Sequence, residues 1–297
     1  MSVAEAAALI RAGKLVGFPT ETVYGLGANA LDAAAVARIF AVKGRPLGSP
    51  LIVHVDSIEM ARGLALDWPD GAERLARKYW PGPLTLVLRK QPSIPDIVTA
   101  GLATVGLRVP AHPMALALIR AAGVPIAAPS ANLFTELSPT TAEHVRQSLG
   151  DAVDLVLDGG PATVGIESTV LSLAGAQPVL LRPGMIPIPE IELLIGPIDR
   201  VEGGAGAHAS PGMHPRHYRP HTPLVLWSDG EPAPAGRGAW LRLGREMPAE
   251  PRAYAALLYD ALHRLDAEGL DWIGVERPPA TPDWAGVLDR LTRAATR

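Results

Sequence analysis

The chain has 297 residues, 48% hydrophobic and 19% charged, with a formal net charge of −3. That composition can bury a sizeable core, which excludes a disordered chain, and its charge excludes a basic nucleic-acid coat, because binding through phosphates alone needs a strong basic patch. There is no cysteine, which removes disulfides, thiolate nucleophiles and cysteine-held zinc.

The N-terminus reads Met-Ser-Val-Ala-Glu, without the basic and apolar runs of a secretory leader. No apolar run reaches the ~18–20 residues of a membrane span, so a soluble, cytoplasmic protein is expected. Residues 4–12 are alanine-rich and helical, ending at Gly13, a natural C-cap position. A short apolar strand at 15–18 stops at Pro19. Asp32 caps a helix over 32–42 with Val36, Ile39 and Phe40 inward. Further strands are predicted at 51–55, 84–88, 105–109, 126–128, 155–157, 169–173 and 179–181, and helices at 71–79, 114–122, 141–149 and 189–195.

From about Gly196 to Pro223 the periodicity fails, and the stretch reads as a linker. Its arginines, histidines and Tyr218 suggest that it touches something. Beyond it, strands at 224–227, 239–243 and 272–275 alternate with helices at 252–267 and 284–295. These make a small α/β unit of about 75 residues, near the lower limit for an independent core. The expected organisation is an α/β domain over 1–195, a linker over 196–222 and a small α/β domain over 223–297.

Three constellations carry polar chemistry. Phe18-Pro19-Thr20-Glu21-Thr22-Val23-Tyr24-Gly25 leads from a strand end into hydroxyls, a carboxylate and glycine, where open α/β sheets bind ligands. A well-capped turn accounts for the same residues. Lys43-Gly44-Arg45-Pro46 offers a point charge and a planar fork that can converge on one polyanion. A basic helix end facing the macrodipole is the plainer alternative. Ala127-Ala128-Pro129-Ser130-Ala131-Asn132, running on to Ser138-Pro139-Thr140, delivers hydroxyl and amide groups into a loop. They suit a phosphate, ribose or base edge, or turns that satisfy their own backbone.

Neither a Walker A loop nor a dinucleotide glycine fingerprint is present. Arg108 lies inside an apolar strand and needs an anionic partner, either a structural carboxylate or a ligand. His54, set in Leu51-Ile52-Val53-His54-Val55, reads on its own as a core histidine. His208, His214, His217 and His221 lie close in sequence, but in a Pro/Gly linker rather than on one helix face, so no protein metal site is expected.

The order of the motifs adds to this. P-T-E-T-V-Y-G-L-G, K-G-R-P, S-P-L-I-V-H-V, W-P-G-P-L-T, V-G-L-R-V-P-A-H-P, A-P-S-A-N, E-S-T-V and L-R-P-G follow one another in a series that closely resembles the threonylcarbamoyl-AMP synthases with the YrdC-like fold. The linker run S-P-G-M-x-x-R-H-Y-x-P resembles their longer, two-domain members. The resemblance is dense over about 1–195, strong in the linker and weak beyond it.

The resemblance implies an open twisted sheet around a large cavity, plus a small Rossmann-like α/β domain that is shorter than usual here. It implies a nucleotidyltransferase that joins L-threonine, bicarbonate and ATP into threonylcarbamoyl-AMP and pyrophosphate. N-carboxy-threonine would attack the α-phosphate, and a separate transferase complex would carry the product to a tRNA adenosine. Lys43 and Arg45 would hold the triphosphate. Leu47, Thr104, Ser130, Asn132, Ser138 and Arg182 would line the nucleotide side, with Tyr218 reaching back to cover it. Thr20, His54, Arg108, Ala128 and Ser168 would surround the amino acid, Arg108 pairing its carboxylate. Mg²⁺ would arrive with ATP.

Two other readings compete. An RNA-binding module would use the same cavity, but aromatics are only 5% and the net charge is negative, so stable nucleic-acid binding is not expected. A carbamoyl-adenylate enzyme with another acyl substrate would resemble proteins that carry additional domains. No membrane partner is expected.

Overall fold

The structure, a computed structural model, describes residues 2–200, 218–228, 231–232 and 234–295. Ten strands form one mixed sheet: β1 (Val16–Phe18), β2 (Gly25–Asn29), β3 (Ile52–His54), β4 (Leu84–Arg89), β5 (Thr104–Arg108), β6 (Ile126–Ala128), β7 (Leu155–Val156), β8 (Thr169–Ser172), β9 (Val179–Arg182) and β10 (Asp199–Arg200). Their order is β10-β9-β8-β4-β5-β3-β6-β2-β1-β7. Eight helices accompany them: α1 (Val3–Arg11), α2 (Ala33–Lys43), α3 (Ile58–Leu64), α4 (Asp70–Tyr79), α5 (Asp96–Thr99), α6 (Pro113–Ala122), α7 (Ala142–Leu149) and α8 (Ile188–Ile195).

Local chemistry explains the boundaries. Asp32 caps α2 by accepting the Ala34 and Ala35 amides at 2.9 and 3.2 Å. Gly44, left-handed at φ +60°, ends α2 between Lys43 and Arg45. β2 is Gly-Leu-Gly-Ala-Asn, a poor strand former by propensity. It pairs because its glycines make room for a ring: a Cβ on Gly27 would lie 2.8 Å from both Phe18 Cε1 and Ile126 Cγ2.

The second sheet is parallel, with β11 (Leu224–Trp227), β12 (Gly238–Leu241) and β13 (Trp272–Glu276) in the order β11-β13-β12. α9 (Pro251–Asp266) is the crossover from β12 to β13, and α10 (Ala285–Ala295) packs on β11. The core of this unit is continuous with the large domain. Val23, Leu137 and Ile166 from the large domain join Tyr218, Leu258, Tyr259 and Leu291 in one apolar cluster. That sharing is how so small an α/β unit buries enough apolar surface.

The large sheet extends to Arg200, because β10 pairs in parallel with β9, so its edge lies past the expected boundary at 195. Most of the predicted linker, including His208, His214 and His217, lies outside the described residues. His221 sits on the surface with Nδ1 3.1 Å from Asp266. Among the described residues no group of three or more His, Asp or Glu side chains could hold a metal ion, and no helix is long and apolar enough to cross a membrane.

Candidate active site

β3 and β5 run in parallel with His54 opposite Arg108, and β6 lies antiparallel beside β3 with Ala128 opposite Ile52. Side chains two apart on a strand share a face. Ile52 and His54 therefore rise together from one side of the sheet, and a cavity lies over them. The loop after β1 supplies Thr20, Thr22 and Val23. Arg45, Pro129 and Ser130, together with Glu167, Ser168, Arg182 and Tyr218, complete the lining. The cavity thus sits over the sheet face as well as at the strand ends that the sequence pointed to.

The Thr20 hydroxyl donates to the Val23 carbonyl at 2.6 Å and accepts the Thr22 and Val23 amides at 3.2 Å each. It caps its own turn, and that turn forms the cavity wall. Arg108 Nη1 donates to the Thr22 hydroxyl at 3.0 Å, and its Nε donates to the Gly82 carbonyl at 3.2 Å. Its Nη2 lies 2.7 Å from Glu21 Oε1, with the two side chains only 4% and 7% exposed. The anionic partner that Arg108 needs is therefore a structural carboxylate. Glu21 is steadied in turn by the Ala111 amide on Oε2 at 3.0 Å.

Burial, reinforced by Arg108, holds the His54 imidazole down to about 3, so it is neutral near pH 7. The Phe18 ring stands edge-on to it at 5.8 Å, and its buried Nδ1 has no hydrogen-bond partner.

On the other side, Arg45 donates to the Pro50 carbonyl at 3.1 Å and lies 5.9 Å from the Phe134 ring. Burial lowers it to about 10, which leaves it cationic. Arg182 donates through Nε and Nη2 to the Ser168 carbonyl at 3.1 and 3.0 Å, and to the Ser168 hydroxyl at 3.2 Å. Arg45 and Arg182 both line the cavity and bring positive charge to it.

The structure brings Thr20, His54, Arg108, Ala128, Ser168, Arg45, Ser130, Arg182 and Tyr218 together in this cavity. Lys43, Leu47, Thr104, Asn132 and Ser138 are not among its walls. Lys43 stands behind them. Its Nζ donates to the Ser130 carbonyl at 2.6 Å, to the Asn132 carbonyl, and to Asn132 Oδ1 at 3.3 Å, which uses all three protons on one loop. Burial, then the neighbouring Arg45 charge, pulls its pKa well below the usual range. Asn132 Nδ2 donates to the Glu136 carbonyl at 2.9 Å, and the Ser138 hydroxyl donates to Glu167 at 2.5 Å. Leu47 is 63% exposed. Thr104 pairs with Arg89 at the far end of β5. Four residues of strand put it roughly 13 Å from Arg108.

The sequence pointed to Thr22 as part of the Thr20–Thr22 run without giving it a role, and it gave no site role to Glu21 or Glu167. The signal for Glu21 was present, because a carboxylate in an apolar and hydroxyl run is a ready partner for a buried arginine. Glu167 gave less away, since its cation lies 123 residues downstream.

Residues 8–184 match the Sua5–YciO–YrdC family model, described as telomere recombination, and residues 186–296 match that of the threonylcarbamoyl-AMP synthase C-terminal domain. The threonylcarbamoyl-AMP synthase of Bacillus subtilis is 43% identical, over 99% of this chain and 92% of its own. The crystal structure of Pyrococcus abyssi Sua5 complexed with L-threonine is similar at a TM-score of 0.92 and 40% identity, covering 99% of this chain and 94% of that one. Escherichia coli YciO is similar at a TM-score of 0.55 and 27% identity, over 61% of this chain and 88% of its own. Matched across both its domains, the chain belongs to the Sua5-type threonylcarbamoyl-AMP synthase family.

Proposed function

We propose that the chain joins L-threonine, bicarbonate and ATP into threonylcarbamoyl-AMP and pyrophosphate. The observation that carries this reading is one cavity with two characters. One part of the wall holds Arg108, Thr22 and a neutral His54, and another part holds Arg45, Arg182 and Tyr218. The first part suits an amino acid, with its carboxylate on the Arg108 side. A neutral imidazole adds no charge beside an amine that must be unprotonated to attack.

The amine nitrogen attacks the bicarbonate carbon, water leaves, and a carbamate forms. A carbamate oxygen then attacks the α-phosphorus of ATP, and the bond to the β-phosphate oxygen breaks to release pyrophosphate. Arg45 and Arg182 offset the charge that builds on the phosphates, and Lys43 fixes the Ser130–Asn132 loop against them. Positioning and electrostatics suffice, and no covalent enzyme intermediate is needed. Glu167 in the wall and Glu21 beside Arg108 are both ion-paired, which fits a Mg²⁺ held by phosphate oxygens and water, with protein carboxylates left to their arginines. Bound there, the ion would neutralise phosphate charge. In this reading the product passes to a separate threonylcarbamoyl transferase complex acting on tRNA, which supports a cytoplasmic location.

The test is pyrophosphate release with and without L-threonine and bicarbonate, with L-serine and Lys43→Ala as controls. Release is expected to need both co-substrates and to fall in the variant, because the Ser130–Asn132 loop loses the cation that fixes it. Turnover that ignores threonine would sink the reading and favour another acyl substrate.

A further inference from the structure

The nucleotide side of the cavity leans on the small domain. Glu167 precedes Ser168 in the wall and is 7% exposed. Its Oε1 accepts the Ser138 hydroxyl at 2.5 Å. Its Oε2 lies 2.7 Å from Arg290 Nε and 3.2 Å from the Tyr259 hydroxyl. Arg290, on α10, also donates to the Glu167 carbonyl at 3.1 Å, to the Pro183 carbonyl at 2.9 Å and to Asp289 at 2.7 Å. Its guanidinium sits 5.3 Å from the Tyr218 ring, and Tyr259 on α9 sits 6.0 Å from the same ring. Neither Arg290 nor Tyr259 lines the cavity.

One side chain thus reaches the carboxylate that orients Ser138, the backbone next to Arg182 and the face of Tyr218. A point charge could compensate Glu167. Only a planar fork can make these contacts together. A buried pair of this kind adds little stability over a well-packed apolar pair, so its geometry is what distinguishes it.

We propose that Arg290, assisted by Tyr259, is a positioning residue of the nucleotide site, setting Glu167 so that Arg182 and Tyr218 keep their places in the cavity wall and Ser138 keeps its place behind it. This rests on the reading that Arg182 and Tyr218 face the nucleotide.

The ionisation of Glu167 supplies a readout. Burial pushes its carboxyl up, but Arg290, Arg182 and the Ser138 hydroxyl outweigh that and hold it at about 2. The groups around it are Ser138, Arg182 on β9, Tyr218, Tyr259 on α9, and Arg290 with Asp289 on α10. Without the Arg290 charge, burial is opposed only by Arg182 and the Ser138 hydroxyl, and the carboxyl titrates higher.

The experiment measures KM and kcat for ATP and for threonine by pyrophosphate release, between about pH 6.5 and 8.5 where wild-type Glu167 is fully ionised. The chains are wild type, Arg290→Gln, Arg290→Lys and Tyr259→Phe, with Ser138→Ala and Arg182→Ala as site controls. Arg290→Gln is expected to raise the ATP KM about tenfold, the worth of one charged hydrogen bond. Its threonine KM stays near wild type, and its activity relative to wild type drops as pH falls. Arg290→Lys keeps the charge, so it loses the pH effect but retains part of the KM effect. If Arg290→Gln does not fold, Arg290→Lys and Tyr259→Phe decide the matter through their ATP KM alone. Variants that melt earlier yet keep the wild-type ATP KM would reduce Arg290 to a structural clasp and overturn the proposal. If Ser138→Ala and Arg182→Ala leave the ATP KM unchanged, the nucleotide assignment itself fails, and the proposal falls with it whatever Arg290 does.

Discussion

Replacing Glu21 by glutamine removes one charge and almost nothing else. The carboxamide keeps its size and an acceptor for the Ala111 amide, but the negative charge 2.7 Å from Arg108 Nη2 is gone. With the two side chains 4% and 7% exposed, water cannot take its place. Breaking a buried pair from one side costs roughly 3–5 kcal/mol. Arg108 keeps the Gly82 carbonyl and the Thr22 hydroxyl as acceptors, which sets the expectation at the low end, about 3 kcal/mol. At ~2–4 °C per kcal/mol for a domain of this size, the melting midpoint falls by about 6–12 °C. L-Threonine offers a carboxylate to the same guanidinium, so the midpoint of Glu21→Gln is expected to rise more with threonine than that of wild type. Thermal unfolding followed by circular dichroism, with and without threonine and without ATP, measures both effects. A variant melting within about 2 °C of wild type would show that Arg108 does not depend on Glu21. Equal threonine-induced rises would show that the amino acid's carboxylate binds elsewhere.

Gly27→Ala forces a methyl group to within 2.8 Å of Phe18 and Ile126 and is expected to lower stability by about 1–3 kcal/mol, measured by urea unfolding. Acid will also weaken the fold before its carboxylates titrate. His54 is held at about 3 by burial and Arg108, and His144 at about 4 by burial and the stacked His263, against 6.5 for both. Between pH 6.5 and 4 the unfolded chain binds protons that the folded chain refuses, so stability falls as pH falls. His144→Gln is expected to flatten that slope, and an unchanged slope in urea unfolding at several pH values would contradict the assignment.

Much of the fold was legible because its period is local. The strands ending in His54, Arg108 and Ala128 announce themselves as apolar runs, and α2 by its Asp32 cap. β2 was not legible, because Gly25 and Gly27 have no side chains to form a pattern and the reason for them is a ring on the neighbouring strand. α3, α5 and β10 are a seven-residue helix, a single turn and a two-residue pairing, too short to show a period. The site divides in the same way. Motifs located nine of the lining residues, since each sits beside a strand end or turn. They could not show that Lys43 turns its protons onto the Ser130–Asn132 loop, or that Thr104 stands at the wrong end of β5, because both depend on pairing between distant segments. The role of Glu167 was hidden by the greatest distance of all.

That distance has a meaning in biosynthesis. Glu167 leaves the ribosome 123 residues ahead of the arginine that compensates it. At roughly 5–20 residues per second, the interval is on the order of ten seconds. Throughout it the large sheet can assemble, yet one flank of the pocket has no counterion and the Val23, Leu137 and Ile166 surface has no cover. Translation thus delivers the large domain well before it can be a finished catalyst, and its nucleotide wall is completed by the arrival of α10.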